Sequence, residues 1–142
     1  AASDVYKRQE MRVPMKTVDD PESPSFSPDG RTVALSAMRG GIRDIFTVDL
    51  ENGHVENLTT DDFFDYGPTF STDGTFVVYK TRVSGNQKLF RIDLDTKKKT
   101  QLTFGTNDET SAQFVDDHTL VFSSTATDPT VPLDPETARN GQ

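Results

Sequence analysis

Apolar residues along this chain fall in short alternating runs separated by turn chemistry. Thr32-Val33-Ala34-Leu35-Ser36 alternates, and so does Asp44-Ile45-Phe46-Thr47-Val48-Asp49-Leu50. Both are rich in β-branched and aromatic residues, and no segment sustains a helical period, so the pattern predicts strands. The breaks are equally legible. Pro28-Asp29-Gly30 presets a tight turn, because proline fixes φ at the second turn position and glycine takes positive φ. Gly40 and Gly41 mark a loop, and Asn52-Gly53 predicts a hairpin turn of the primed type. A short run, Pro24 to Ser27, precedes the first turn, and another, Val55 to Thr59, follows the last. These segments make a unit of four short strands.

The unit recurs. Pro24-Ser25-Phe26-Ser27-Pro28-Asp29-Gly30 returns 44 residues later as Pro68-Thr69-Phe70-Ser71-Thr72-Asp73-Gly74. At the same offset Val33 meets Val77, Gly41 meets Gly85, Phe46 meets Phe90, Asp49-Leu50 meets Asp93-Leu94, and Leu58-Thr59 meets Leu102-Thr103. A third unit begins at Phe114, turns through Val115 to His118, and continues as Leu120 to Ser124. Residues 126–140 read as a polar loop with three prolines. A four-strand period in this range marks the blades of a β-propeller, each of which buries its faces by stacking on its neighbours. The expected fold is therefore all-β: part of a propeller, with two complete four-stranded antiparallel blades and part of a third. The boundaries implied are a dilute N-terminal segment at 1–18, blades at 19–62 and 63–106, and a partial blade at 107–142. Residues 1–9 match no repeat position. The first segment reads as partly non-native or as the end of a preceding blade.

The blocks PSFSPDG, DIFTVDLENG and NLTTDD resemble the TolB-like propeller repeat over roughly residues 19–124. The second unit departs from that pattern at Thr72 and Lys97, where the family prefers proline and glycine, and the third departs through its whole turn. The resemblance implies radially stacked blades around a shaft, a non-catalytic protein- or peptide-binding role, and a periplasmic setting. Propellers of this kind also gate the catalytic domains of prolyl-oligopeptidase-like peptidases, which leaves a second functional class open, with the chemistry outside this chain.

Composition narrows the partners. The net charge of −8 argues against nucleic acid and anionic membrane surfaces. Cysteine is absent, which removes disulfides and thiol chemistry, and no apolar run is long enough to span a bilayer. His54 and His118 have no partner at metal-ligand spacing, and neither a G-x-S-x-G elbow nor a phosphate loop occurs. Asp29-Gly30 and Asp73-Gly74 lack the spacing of a calcium loop, and Asn57-Leu58-Thr59 is a formal glycosylation sequon on a repeat position. The expectation is no catalytic residue, no metal and no cofactor.

Blade topology points to one surface. The blade-linking loops carry acids: Asp19, Asp20 and Glu22, then Asp61, Asp62 and Asp65, then Asp108 and Glu109. The second of these loops adds Phe63, Phe64 and Tyr66. Arg39, Arg43, Lys80 and Arg82 belong to the loops between second and third strands, on the same side of the disc. The candidate docking residues are Asp61, Asp62, Phe64, Asp65 and Tyr66, with Arg39 and Arg82 as a rim. The plainer alternative is ordinary charged surface, with Phe64 packed between blades.

Overall fold

In the computed structural model, residues 18–125 are described, and they contain strands and turns but no helix. Strands β1 (Asp19–Phe26), β2 (Thr32–Arg39), β3 (Ile42–Asp49) and β4 (Val55–Asn57) form one antiparallel sheet in chain order. Strands β5 (Tyr66–Phe70), β6 (Phe76–Val83), β7 (Asn86–Asp93) and β8 (Lys99–Gln101) form the next in the same order. Strands β9 (Glu109–Asp116) and β10 (Thr119–Ser124) pair as the start of a third. The readings of residues 1–17 and of the proline-containing segment 126–140 lie outside the described residues.

The turn after the first strand is built alike in the first two sheets. Gly30 donates its N–H to Ser27 O at 2.9 Å, and Ser27 N donates to Thr32 O at 2.8 Å. The Ser27 hydroxyl donates to Asp29 Oδ1 at 2.6 Å, which also accepts the Arg31 N–H. Ser71, Asp73, Gly74 and Phe76 repeat these bonds. The serine and aspartate of the repeat thus lock the turn from inside, while Gly30 (φ 71) and Gly74 (φ 76) supply the left-handed residue. Thr72 replaces proline without disturbing this, and its hydroxyl reaches Asp117.

The second turn differs from the expected primed hairpin. Gly53 N donates to Asp49 O at 2.7 Å and Asp49 N to His54 O at 2.8 Å, closing a longer loop in which Gly53 (φ 75) but not Asn52 is left-handed. The Asp49 carboxylate accepts the N–H groups of Glu51 and Asn52, so the aspartate selects this loop. Lys97 (φ 59) occupies the matching position of the second sheet.

Each first strand carries a bulge at the same repeat position. Ser23, Gly67 and Ser111, with φ of 54, 55 and 53, interrupt the pairing of β1, β5 and β9. The residues around them, Ser23 to Ser25, Gly67 to Thr69 and Ser111 to Gln113, line one cavity of about 640 Å³. The strand expected at 24–27 extends back to Asp19, so Asp19, Asp20 and Glu22 lie in β1 and not in a linking loop.

Stacking makes the core. Ala34, Ile45 and Leu58 of the first sheet pack against Phe70, Val77, Tyr79 and Ile92 of the second. Val78, Leu89 and Leu102, at the repeat positions of those first three, pack against Leu120, with Phe114 and Phe122 alongside. Phe114 meets Phe76 edge-on at 5.5 Å. Val33, Val77 and Leu120 are buried, as their shared position requires. The shared repeat position predicts equal burial for Phe26, Phe70 and Phe114, and Phe26 is a correction: Phe70 is 6% exposed, whereas Phe26 is 62% exposed. The face that covers Phe70 belongs to the preceding sheet, and no described sheet precedes β1.

Candidate functional site

The loop from Leu58 to Asp65 links the first two sheets and is held at both ends. Leu58 N donates to Ile45 O at 2.7 Å, and Asp65 N donates to Arg43 O at 2.8 Å. The Thr59 hydroxyl accepts the Ile45 N–H and donates to Asp44 Oδ1 at 3.2 Å. Lys99, from β8 of the next sheet, reaches back to Thr59 O and to Asp61 Oδ2, the latter at 2.7 Å. Asp61 Oδ1 accepts the Phe63 N–H at 2.9 Å. The loop is therefore tied to both sheets while its apex is free to face outward.

The sequence-derived docking residues separate on this geometry. Phe63 and Phe64 are 58% and 45% exposed, and Asp62 is exposed. Asp61 is partly covered by its pairing with Lys99. Tyr66 is half-buried beneath the Arg43 guanidinium, 5.9 Å from its ring centroid. Tyr66 and Arg82 line one cavity of about 240 Å³, together with Glu22, Lys80 and Gln87. Arg39 is exposed and lies over Phe46 at 5.1 Å, while Arg82 donates to Gly85 O. Asp65 is a correction: it is 0% exposed, turned into the junction between sheets, and presents nothing to a partner. Arg43 and Glu109 are likewise buried, and Arg39, Arg43, Lys80 and Arg82 belong to strands β2, β3 and β6, not to the loops between them.

The junction around Asp65 has chemistry of its own. Carboxylate oxygens of Asp44, Asp61 and Asp65 all lie within 4.8 Å of one another. Burial pushes the Asp65 carboxyl up to about 6, aided by the charges of Asp61 and Asp44 and opposed by the nearby hydroxyls of Thr59 and Thr81. Neither hydroxyl closes a hydrogen bond to it: both Asp65 oxygens and Thr81 Oγ1 are buried without a partner. Thr59 has only one proton, and it goes to Asp44.

The next junction solves the same problem differently. At the offset of 44, Lys88 replaces Asp44, Thr103 repeats Thr59, and Glu109 replaces Asp65. Lys88 Nζ pairs with Glu109 Oε2 at 2.8 Å and donates to the carbonyls of Phe104 and Asn107. Thr103 donates to the same carboxylate at 3.0 Å and accepts the Leu89 N–H. Ser124, at the position of Thr81, donates to Glu109 Oε1. Sequence reading missed this constellation because its members come from third strands, linking loops and the following sheet. The offset that aligns Asp44 with Lys88 was the available signal.

Stacked four-stranded sheets with repeated bulges and turns define a run of β-propeller blades. The family model of the TolB beta propeller domain matches residues 6–134, and the chain belongs to that family. Among solved structures, TolB from Acinetobacter baumannii is similar with a TM-score of 0.69 and 21% identity, covering 82% of this chain and 30% of that one. A putative TolB from Agrobacterium tumefaciens has a TM-score of 0.69 and 22% identity, covering 78% of this chain and 42% of its own. A puromycin hydrolase S511A mutant complexed with PGG has a TM-score of 0.65 and 18% identity, covering 82% of this chain and 20% of that one. The chain thus spans less than half the length of each. No curated protein matches it significantly. Both histidines are exposed, and among the described residues no helix is long and apolar enough to cross a membrane.

Proposed function

We propose that this chain is part of a non-catalytic TolB-like propeller that binds a protein or peptide in the bacterial periplasm, using the loop between its first two blades. The observation that supports this is the exposed pair Phe63 and Phe64 on an acidic loop anchored to two blades. Exposed aromatics on a fixed backbone supply contact area with little ordering cost, and flanking charges set encounter rate. Asp61 and Asp62 provide the acidic flank, Tyr66 and Arg82 the adjoining cavity, and Arg39 the rim. The partner is a basic, apolar-bearing polypeptide.

The test compares capture from a periplasmic extract by the wild-type propeller and by loop variants. Phe63→Ala and Phe64→Ala should raise the off-rate about tenfold or more for an anchor worth about 1.4 kcal/mol. Asp62→Asn should lower the on-rate mainly at low salt. Normal binding by these variants, with loss on changing Asp95 and Lys98, would move the functional face to the other side.

A second reading is a propeller attached to a peptidase domain. The fold likeness to puromycin hydrolase, acylaminoacyl peptidase and tricorn protease structures favours keeping it. A G-x-S-x-G segment in the same reading frame would decide for it.

A further inference from the structure

We propose that Asp44, Asp61 and Asp65 hold one hard divalent cation, calcium in preference to magnesium, at the junction of the first two blades. The site rests on the junction's own geometry and is independent of the docking reading. Three carboxylates converge within 4.8 Å, two of them on buried side chains. Asp65 is fully enclosed with both oxygens unpartnered, and the enclosed Thr81 hydroxyl beside it is unpartnered too. A buried carboxylate without partners is costly, so the arrangement calls for a ligand that oxygen atoms can surround.

The equivalent junction one blade on shows what kind of ligand. There Lys88 places a positive charge against Glu109 and two backbone carbonyls. In the first junction Asp44 takes the lysine's place, so the internal cation is replaced by another acid. Lys99 neutralises one of the three acids from the rim through Asp61. Two negative charges remain, the complement of one divalent ion. The donors are all oxygen, which excludes soft metals, and they come from β3, the linking loop and its end, an irregular set that calcium accommodates better than magnesium does. Thr60 and Phe63 hold the repeat positions of Phe104 and Asn107, the two carbonyl donors to Lys88. The ion would tie the linking loop to both blades.

The experiment uses the full chain. Calcium is added after chelation, and thermal unfolding is followed alongside terbium luminescence. Tyr79 is a built-in sensitiser by its position: it is buried in the core between the same two sheets, where burial first, and then the neighbouring charges of Asp65 and Asp61, push its hydroxyl pKa up. Calcium at about 100 times its dissociation constant should raise Tm on the order of 10 °C. Terbium emission should appear and be displaced by calcium. Asp65→Asn should abolish both effects. Asp44→Lys, which transplants the neighbouring blade's arrangement, should also abolish both while keeping the metal-free chain as stable as the wild type or more so. The second variant serves if the first fails to fold. The proposal is overturned if calcium leaves Tm unchanged and only acidification stabilises the chain, because a proton on Asp65 then neutralises the junction. It is equally overturned if terbium emission survives in Asp44→Lys, which would put the ion elsewhere.

Discussion

At Lys97 a long charged side chain occupies a left-handed backbone position, φ 59, that its repeat partner Gly53 fills at φ 75. A non-glycine residue there costs about 1–2 kcal/mol. The compensations are weak: Nζ pairs with Glu56 at 3.0 Å, both side chains being over 40% exposed, and donates to Leu94 O. Lys97→Gly should therefore stabilise the chain, by about 0.5–1 kcal/mol in urea unfolding after the added freedom of the unfolded glycine is counted. The tight-turn glycines predict the opposite sign. Gly30→Ala should cost about 1 kcal/mol from backbone strain alone. Gly74→Ala should cost more, because the added Cβ would lie 3.2 Å from Pro28 Cδ, whereas nothing lies within 4 Å at Gly30. The turn aspartates give a pH signature. The Ser27 hydroxyl, then the Arg31 N–H, holds the Asp29 carboxyl below 3.8; the Thr75 N–H and hydroxyl do so for Asp73. A depressed folded value means stability that is present above the unfolded pKa and is lost as pH falls through the folded one. Thermal unfolding from about pH 5 down to about pH 2 should show this loss, and Asp29→Asn with Asp73→Asn should flatten it.

At the scale of the element, strands and turns were legible and junctions were not. The alternation of Thr32 to Ser36 and the Pro-Asp-Gly turn are local statements, and the local bonds of Ser27 and Asp29 enforce them. The Asn-Gly dipeptide by itself points to a primed hairpin, but Asp49, outside the dipeptide, bonds two loop N–H groups and selects another loop. Asp65 departs from its local pattern for the same kind of reason. As part of an acidic run it looks like surface, yet its N–H pairs with Arg43 O and turns it inward. Lys88 and Glu109, 21 residues apart, could not be matched from composition. Their side chains are 1% and 5% exposed. Removing one partner of such a pair strands a buried charge, so Lys88→Ala should cost about 3–5 kcal/mol, while Lys88→Met with Glu109→Leu should recover most of that. A double-mutant cycle measures the difference. A double variant as unstable as the single one would mean that the Thr103 and Ser124 bonds to Glu109, not the ion pair, hold that junction.

For the whole molecule, stability is a sum over blade interfaces, and the same residue has different value in different blades. The period of 44 predicted equal burial for Phe26, Phe70 and Phe114, which treats every blade as interior. Burial instead follows the neighbour. Phe70 is enclosed by Ala34, Ile45 and Leu58, Phe114 is half-buried against Phe76, and Phe26 stands 62% exposed beside Pro28. Phe70→Ala should then cost about 3–5 kcal/mol, as for a filled core position. Phe26→Ala should cost about 0.5 kcal/mol or less. Equal costs would mean that the Phe26 face is covered in solution, and protein concentration separates the two ways this can happen. If the Phe26→Ala deficit grows with concentration, a second copy covers the face; if it is constant, chain outside the described residues does so. Such an open sheet flank is a hazard for self-association, so the first outcome should also show as a wild-type sedimentation coefficient that rises with concentration and falls in Phe26→Ser.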